Sequence, residues 1–243
     1  MSNLLLGLAV STVAAFALAL LSAVAGFGGG ALLLPVFTGL FGLRVAVPVL
    51  TLTQIASNGG RVWFNRQHLQ WRIIARFSLG AVPLAIAGGL LLAHAPLAPL
   101  KRLLGVFLIA VVVWRHLRPH PKAPSDNAFI GVGAASGLGS ALLGSVGPLT
   151  APFFLAKGLA RAAFIGTEAA CALLMHAAKI GAYGSANLLT TQVLLLGAAM
   201  TPATLAGAWA GKKIVARISD RAFVILVEAG LIGAGLLFLT GLA

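Results

Sequence analysis

Ala25-Gly26-Phe27-Gly28-Gly29-Gly30-Ala31-Leu32-Leu33-Leu34-Pro35 places a glycine cluster and a proline inside a long apolar run. A degraded echo follows about half a chain later, as Gly144-Ser145-Val146-Gly147-Pro148-Leu149-Thr150-Ala151-Pro152. Glycine and proline both disfavour a continuous helix. Unwound backbone at membrane depth needs partners for its N–H and C=O groups, so it persists only where it is buried in protein or lines a wet cavity. Two such breaks in corresponding halves point to a binding site at a repeat interface.

The rest of the composition agrees with a membrane setting. Hydrophobic residues make up 60% of the chain and charged residues 9%, with a mean hydropathy of +1.03. Runs such as Phe77 to Ala93 and Leu103 to Trp114 carry no formal charge. These features predict an all-α polytopic membrane protein with room for roughly seven to nine passes of ~20 residues. They leave no room for a separate soluble catalytic domain. The segment Leu4 to Ala25 has no basic region before it and reads as a retained membrane segment, not a signal peptide. The net charge of +13 is explained by loop bases that set topology and lie against anionic lipid head groups, not by nucleic acid. Cys171 is the single cysteine, which excludes an intramolecular disulfide and a cysteine-rich metal site.

Eight apolar stretches can be drawn, at about 4–40, 43–60, 73–93, 99–114, 128–156, 160–183, 189–211 and 222–242. The basic, proline-containing segment from Arg115 to Pro124 divides four from four. A shift of about 117 residues lays Pro35 on Pro152, Gly30 on Gly147, Arg44 on Arg161 and Gly80 on Gly197. The expected organisation is an N-terminal membrane repeat (1–118), a linker (119–126) and a C-terminal membrane repeat (127–243).

Charge placement tests the crossings. If every stretch crosses once, seven bases fall on one side and nine on the other, against the positive-inside rule. If 128–156 enters and returns, Arg61, Arg66, Arg72, Arg76, Arg115, Arg118, Lys122, Lys157, Arg161, Lys212, Lys213, Arg217 and Arg221 share one face. Only Arg44, Lys101 and Arg102 then lie opposite. The expectation is therefore two inverted repeats with glycine-broken segments, re-entrant or half-helical, a common secondary-transporter design.

Four acids exist: Asp126, Glu168, Asp220 and Glu228. Asp126 and Asp220 lie in or near loops, and Glu228 reads as a structural partner for a polar group on another helix. Glu168 lies in an apolar stretch, where an ionisable group is a functional candidate. His176 and Lys179 follow on the same helix as i, i+3 neighbours that can share a site. Glu168 and Lys179 share a face but stand about 16 Å apart along the axis and cannot pair directly. One reading makes Lys179 an anion attractor, with His176 or Glu168 carrying a coupling proton. The other leaves Glu168 at the interface and Lys179 snorkelling to the surface. Thr51, Gln54, Asn58 and Arg61 recur at i, i+3, i+7 and i+10 as one polar stripe. Such a stripe serves interhelical hydrogen bonding or the wall of a pathway that offers donors to an oxyanion. A half-helix beginning after Gly28, Gly29 and Gly30 would present free N–H groups to an anion. Gly144, Ser145 and Gly147 would do the same in the second half, unless these glycines serve only close helix packing. No phosphate-loop or dinucleotide fingerprint follows the glycines, and no zinc, nucleophile-elbow or paired-carboxylate motif occurs. The expectation is a protein that is not an enzyme and needs no cofactor or metal.

The stretch from Ser22 to Pro35, its counterpart from Ser136 to Pro152, and Ala163-Phe164-Ile165-Gly166-Thr167 resemble the TauE/SafE family of sulfite-exporter-like permeases. The likeness covers essentially the whole chain. The second half departs from a repeated glycine run in Gly144-Ser145-Val146-Gly147-Pro148. The resemblance implies movement of small sulfur-containing anions, such as sulfite or organosulfonates, across a bacterial inner membrane. A non-transporting assembly or sensor subunit, or an anion channel, remains the alternative.

Overall fold

A computed structural model describes residue 13 and residues 30–117, 123–144, 147–214 and 220–241. Gly28, Gly29 and Ser145 lie outside these residues, as do most of the first apolar stretch and part of the linker. The described residues form helices α1 (Gly30–Phe41), α2 (Leu43–Asn65), α3 (Trp71–His94), α4 (Leu97–Leu117), α5 (Ala128–Leu143), α6 (Gly147–Ala156), α7 (Arg161–Ser185), α8 (Thr191–Ile214) and α9 (Asp220–Thr240). A single 3-10 turn, Arg66–His68, joins α2 to α3. No strand occurs among the described residues.

Two helices, Trp71–His94 and Ala162–Ser185, are long and apolar enough to cross a membrane by length and composition. At 23 residues α2 has the length, but its polar stripe lowers its hydropathy. The outer surface is apolar in the way a lipid-facing surface is: Leu79, Leu91, Leu103, Leu195 and Leu236 are all more than half exposed.

The apolar stretch 128–156 divides into two helices. Gly144 ends α5 with φ +80°, a conformation that residues with a Cβ rarely adopt. α6 then begins at Gly147. The two ends of the stretch come back together: Lys157 Nζ stands 2.6 Å from Asp126 Oδ1 and donates to Pro124 O at 3.2 Å. The ammonium holds the Asp126 carboxyl below the usual carboxylate range.

Helix pairing follows the small residues. α3 and α5 pack backbone on backbone: a Cβ at Gly80 would lie 2.0 Å from Ile130 O, and one at Gly133 would lie 2.0 Å from Phe77 O. Gly137 sits equally close to Ala81. Gly133 and Gly137 are four residues apart on one face, the small-residue spacing that lets membrane helices approach closely. Elsewhere Gly105 of α4 meets Gly235 of α9, and Gly197 of α8 meets Leu52 of α2. α2 packs on α7 and α8, and α7 packs on α2 and α3.

Two apolar cores result. One gathers Phe37, Leu43, Leu50, Leu104, Met200 and Phe238. The other gathers Ile73, Phe77, Phe129, Phe154, Phe164 and Met175, with the Phe129 and Phe154 rings 5.0 Å apart. Glu228 reaches His116 across helices at 3.2 Å, the structural partnership expected of it.

Gly133→Ala should destabilise the protein by about 1–3 kcal/mol, because neither backbone can yield the space. Gly131, on the same helix with nothing within 4 Å, supplies the control. Gly131→Ala should leave the melting temperature unchanged or raise it slightly, and thermal unfolding in detergent measures both.

Candidate functional site

The polar stripe of α2 and the ionisable residues of α7 meet. The two helices run antiparallel, so Arg61 lies opposite Glu168, Asn65 lies beside Gly166 and Thr51 lies beside Tyr183. Between them is a cavity of about 30 Å³ lined by Gln54, Asn58 and Arg61 from α2 and by Glu168, Cys171 and His176 from α7. Ser140 of α5, with Gly147 and Thr150 of α6, closes the polar wall. Phe77, Phe154 and Met175, all from the second core, close the apolar wall. A water needs about 10–15 Å³ of such space, so the volume matches an anion of a few atoms, not a long-chain one.

The strongest contact in the site is ionic. Arg61 Nη1 stands 3.1 Å from Glu168 Oε2, and the other terminal nitrogen donates to Asn58 Oδ1. The Glu168 side chain is 6% exposed and that of Arg61 21%. An acid that deep requires such a partner, since an isolated buried carboxylate would be costly. Asn65 Nδ2 donates to Arg61 O at 2.8 Å, which secures the last turn of α2 beneath the pair. His176 is buried, and its Nδ1 has no hydrogen-bond partner among the described residues. Buried polar atoms are nearly always satisfied, so an orphan in a cavity wall calls for a ligand or water.

Lys179 has a different task from the one its sequence position suggests. It is fully buried, and it does not line the cavity. Its Nζ donates to Ser140 Oγ at 3.0 Å, Ser140 O at 3.2 Å and Gly144 O at 3.5 Å. The ammonium thus caps the C-terminal end of α5, where carbonyls lack intrahelical donors and the dipole is negative. With its side chain fully buried, Lys179 does not snorkel to the surface. Thr51 also stays out of the cavity and donates to Val47 O within its own helix. Gly30 opens α1, and Gly144 lies against Leu34 of that helix.

Of the expected residues, Gln54, Asn58, Gly147, Glu168 and His176 share one cavity wall. Lys179 and Gly144 lie one layer away through Ser140. Sequence reasoning puts Arg61 both in the polar stripe and among the loop bases, and does not single it out as a site residue. Its position at the end of the Thr51, Gln54, Asn58 stripe was the available signal. Ser140 and Thr150 carried weaker ones, four residues before Gly144 and three after Gly147. Among the described residues no group of three or more metal-ligating side chains occurs.

The model of the family described as "Sulfite exporter TauE/SafE" matches residues 11–238. The chain belongs to the TauE/SafE family. Over 132 residues, 51% of the chain, it is 30% identical to the probable sulfite/organosulfonate exporter TauE of Cupriavidus necator, and it covers 52% of that protein. It therefore spans about half the length of this curated relative. No solved structure matches. The TauE/SafE assignment fits an all-helical chain with membrane-length helices.

Cys171 is 1% exposed and borders the cavity. As the single cysteine, it is a built-in reporter of occupancy. A small neutral thiol reagent should label it slowly, and a ligand in the cavity should slow labelling at least several-fold. Mass spectrometry of the intact chain reads the result, and labelling unaffected by any cavity ligand would contradict this placement of Cys171.

Proposed function

We propose that the chain is a multi-pass secondary transporter of the bacterial inner membrane that moves a small sulfur-containing oxyanion, sulfite or a short organosulfonate. The observation that carries this reading is the polar cavity between α2 and α7. It combines the amides of Gln54 and Asn58, the guanidinium of Arg61 and the hydroxyl-bearing Ser140 and Thr150 with the first residue of α6, Gly147. Hydrogen-bond donors and a helix start suit an anion. The buried, unpartnered Nδ1 of His176 supports the view that something is bound there. The family description and the printed name of the Cupriavidus protein supply the sulfur chemistry.

Alternating access would come from two inverted halves, 1–118 and 127–243, joined by 119–126. A shift of about 117 residues exchanges α1 with α6, α2 with α7, α3 with α8 and α4 with α9. Packing supports this exchange: α2 pairs with α7, α4 with α9 and α1 with α6, while α3 on α7 mirrors α8 on α2. The meeting of Lys157 with Asp126 supports a re-entrant hairpin in the second half. Arg76 bonded to Asn127 puts the start of α3 at that same level. Arg44 donating to Ala95 O supports an opposite face bearing the few remaining bases. In this frame Gly28, Gly29 and Gly30 would offer the first-half counterpart of the α6 terminus, with Gly144 and Ser145 completing the second. Glu168 or His176 would carry a coupling proton. Lys179 would contribute its charge through Ser140, and Thr51 would support Tyr183 behind the site. A non-transporting subunit needs this interface packed solid, and the cavity weighs against it.

Binding to the purified protein tests the proposal, with sulfite, sulfate and methanesulfonate as probes. A true ligand stabilises the fold by about 2.7 kcal/mol at a hundredfold excess over Kd. A saturable shift in melting temperature is expected for sulfite or methanesulfonate, reduced at least tenfold in affinity by Asn58→Ala. Flux into vesicles should saturate with concentration and respond to an imposed pH gradient, and Glu168→Gln should abolish that response. Unsaturable flux would indicate a channel instead, and no binding of any oxyanion would remove the carrier reading.

A further inference from the structure

Arg61 is the cavity's half-buried cationic fork, and it is already engaged. One terminal nitrogen faces Glu168 Oε2 at 3.1 Å and the other faces Asn58 Oδ1. A guanidinium receives an oxyanion best through two parallel N–H···O bonds, and here both terminal nitrogens that would make them face protein oxygens. Arg61 is the only arginine or lysine among the described residues of the cavity lining. An ionised Glu168 beside a bound anion would leave two negative groups sharing one guanidinium in a poorly solvated space.

The surroundings of Glu168 leave few other routes to charge balance. Of the two arginines of α2, Arg61 faces Glu168, and Arg44 is bonded to Ala95 O near the other end of the helix. α3 contributes Phe77, α5 Ser140, and α6 Thr150 and Phe154, none of which titrates in the working range. On α7 itself Cys171 and His176 line the wall, and Lys179 is committed to the end of α5. The turn packed against α7 carries Arg66 and His68, both exposed. Glu168 is the only acid in the lining.

Resting on the reading of this cavity as an anion site, we propose that the substrate oxyanion displaces Glu168 from Arg61, and that Glu168 takes up one proton as it is displaced. The guanidinium keeps its charge and exchanges a carboxylate oxygen for an oxygen of the substrate. The proton comes from water and forms an O–H bond on the released carboxyl. When the anion leaves, that proton returns to water and the ion pair closes again. Arg61 is then the residue that receives the anion, Glu168 is its internal competitor, and each anion bound carries one proton.

Methanesulfonate is the decisive probe, since it stays a monoanion from about pH 5 to about pH 9 while side chains titrate. Calorimetry in two buffers of different ionisation enthalpy counts the protons taken up. The wild type should absorb close to one proton per anion and bind about tenfold more weakly for each unit of rising pH above the Glu168 transition. Glu168→Gln should still bind, with no proton uptake and a flat pH profile. Arg61→Gln should lose binding at every pH. Because removing one partner of a buried pair can unfold a protein, the double variant Arg61→Gln/Glu168→Gln serves as the folded control and should also fail to bind. Wild-type binding without proton uptake, or retained binding in the double variant, overturns this proposal and leaves the carrier reading standing. No binding of sulfite, sulfate or methanesulfonate at any pH overturns both.

Discussion

A helix that stops inside an apolar layer leaves carbonyl groups without donors, and Lys179 is the donor that makes the stop at Gly144 tenable. Its ammonium gathers Ser140 Oγ, Ser140 O and Gly144 O while remaining wholly buried. Ending α5 with a cation satisfies hydrogen bonds and opposes the negative end of the helix dipole. Much of the site geometry depends on that arrangement. The break at Gly144 permits α6 to start at Gly147, beside the cavity, and brings Lys157 back to Asp126 at the other end of the stretch.

A second constraint acts between helices. Apolar association supplies little driving force in lipid, so contacts depend on close packing and on polar groups that find each other. α3 and α5 satisfy this with glycines at 80, 133 and 137, which allow their backbones to touch. α2 and α7 satisfy it differently, with side chains that reach across and leave a gap. Arg61 and Glu168 close one end of the gap, and Tyr183, donating to Ala141 O at 2.9 Å, lies beyond the other. The rigid pair flanks a loosely filled one, an economical way to hold a small polar cavity between two apolar cores.

That division connects the fold to the proposed transport cycle. An ion pair that must open for an anion to bind is an energetic toll unless a proton neutralises the carboxylate, and the cavity's lining offers no other acid to share the load. The donors around it are amides and hydroxyls on helices, not on loops, so their positions are set by backbone packing. The family description concerns sulfite exporters, and the cavity between α2 and α7 is small and partly polar.

Composition and spacing alone reached the helical class, and they singled out the glycines near 144, the polar stripe of α2, Glu168 and His176. Each of these depends on neighbours along the chain: hydropathy over about twenty residues, the backbone freedom of glycine, or the 3.6-residue repeat. The partnership of Glu228 was also legible, because a lone acid in an apolar helix must find a base or a donor. What charge meant at Arg61 and Lys179 was not legible. Arg61 reads both as the end of the polar stripe and as one of the loop bases, and Lys179 reads either as an anion attractor or as a lysine snorkelling to the surface. Their roles depend on which acceptor lies within reach, and those acceptors stand 107 and 39 residues away in the chain. Only tertiary packing brings Glu168 to the first and the last turn of α5 to the second. Local sequence carries the cost of burying a charge, but not the identity of the group that offsets it.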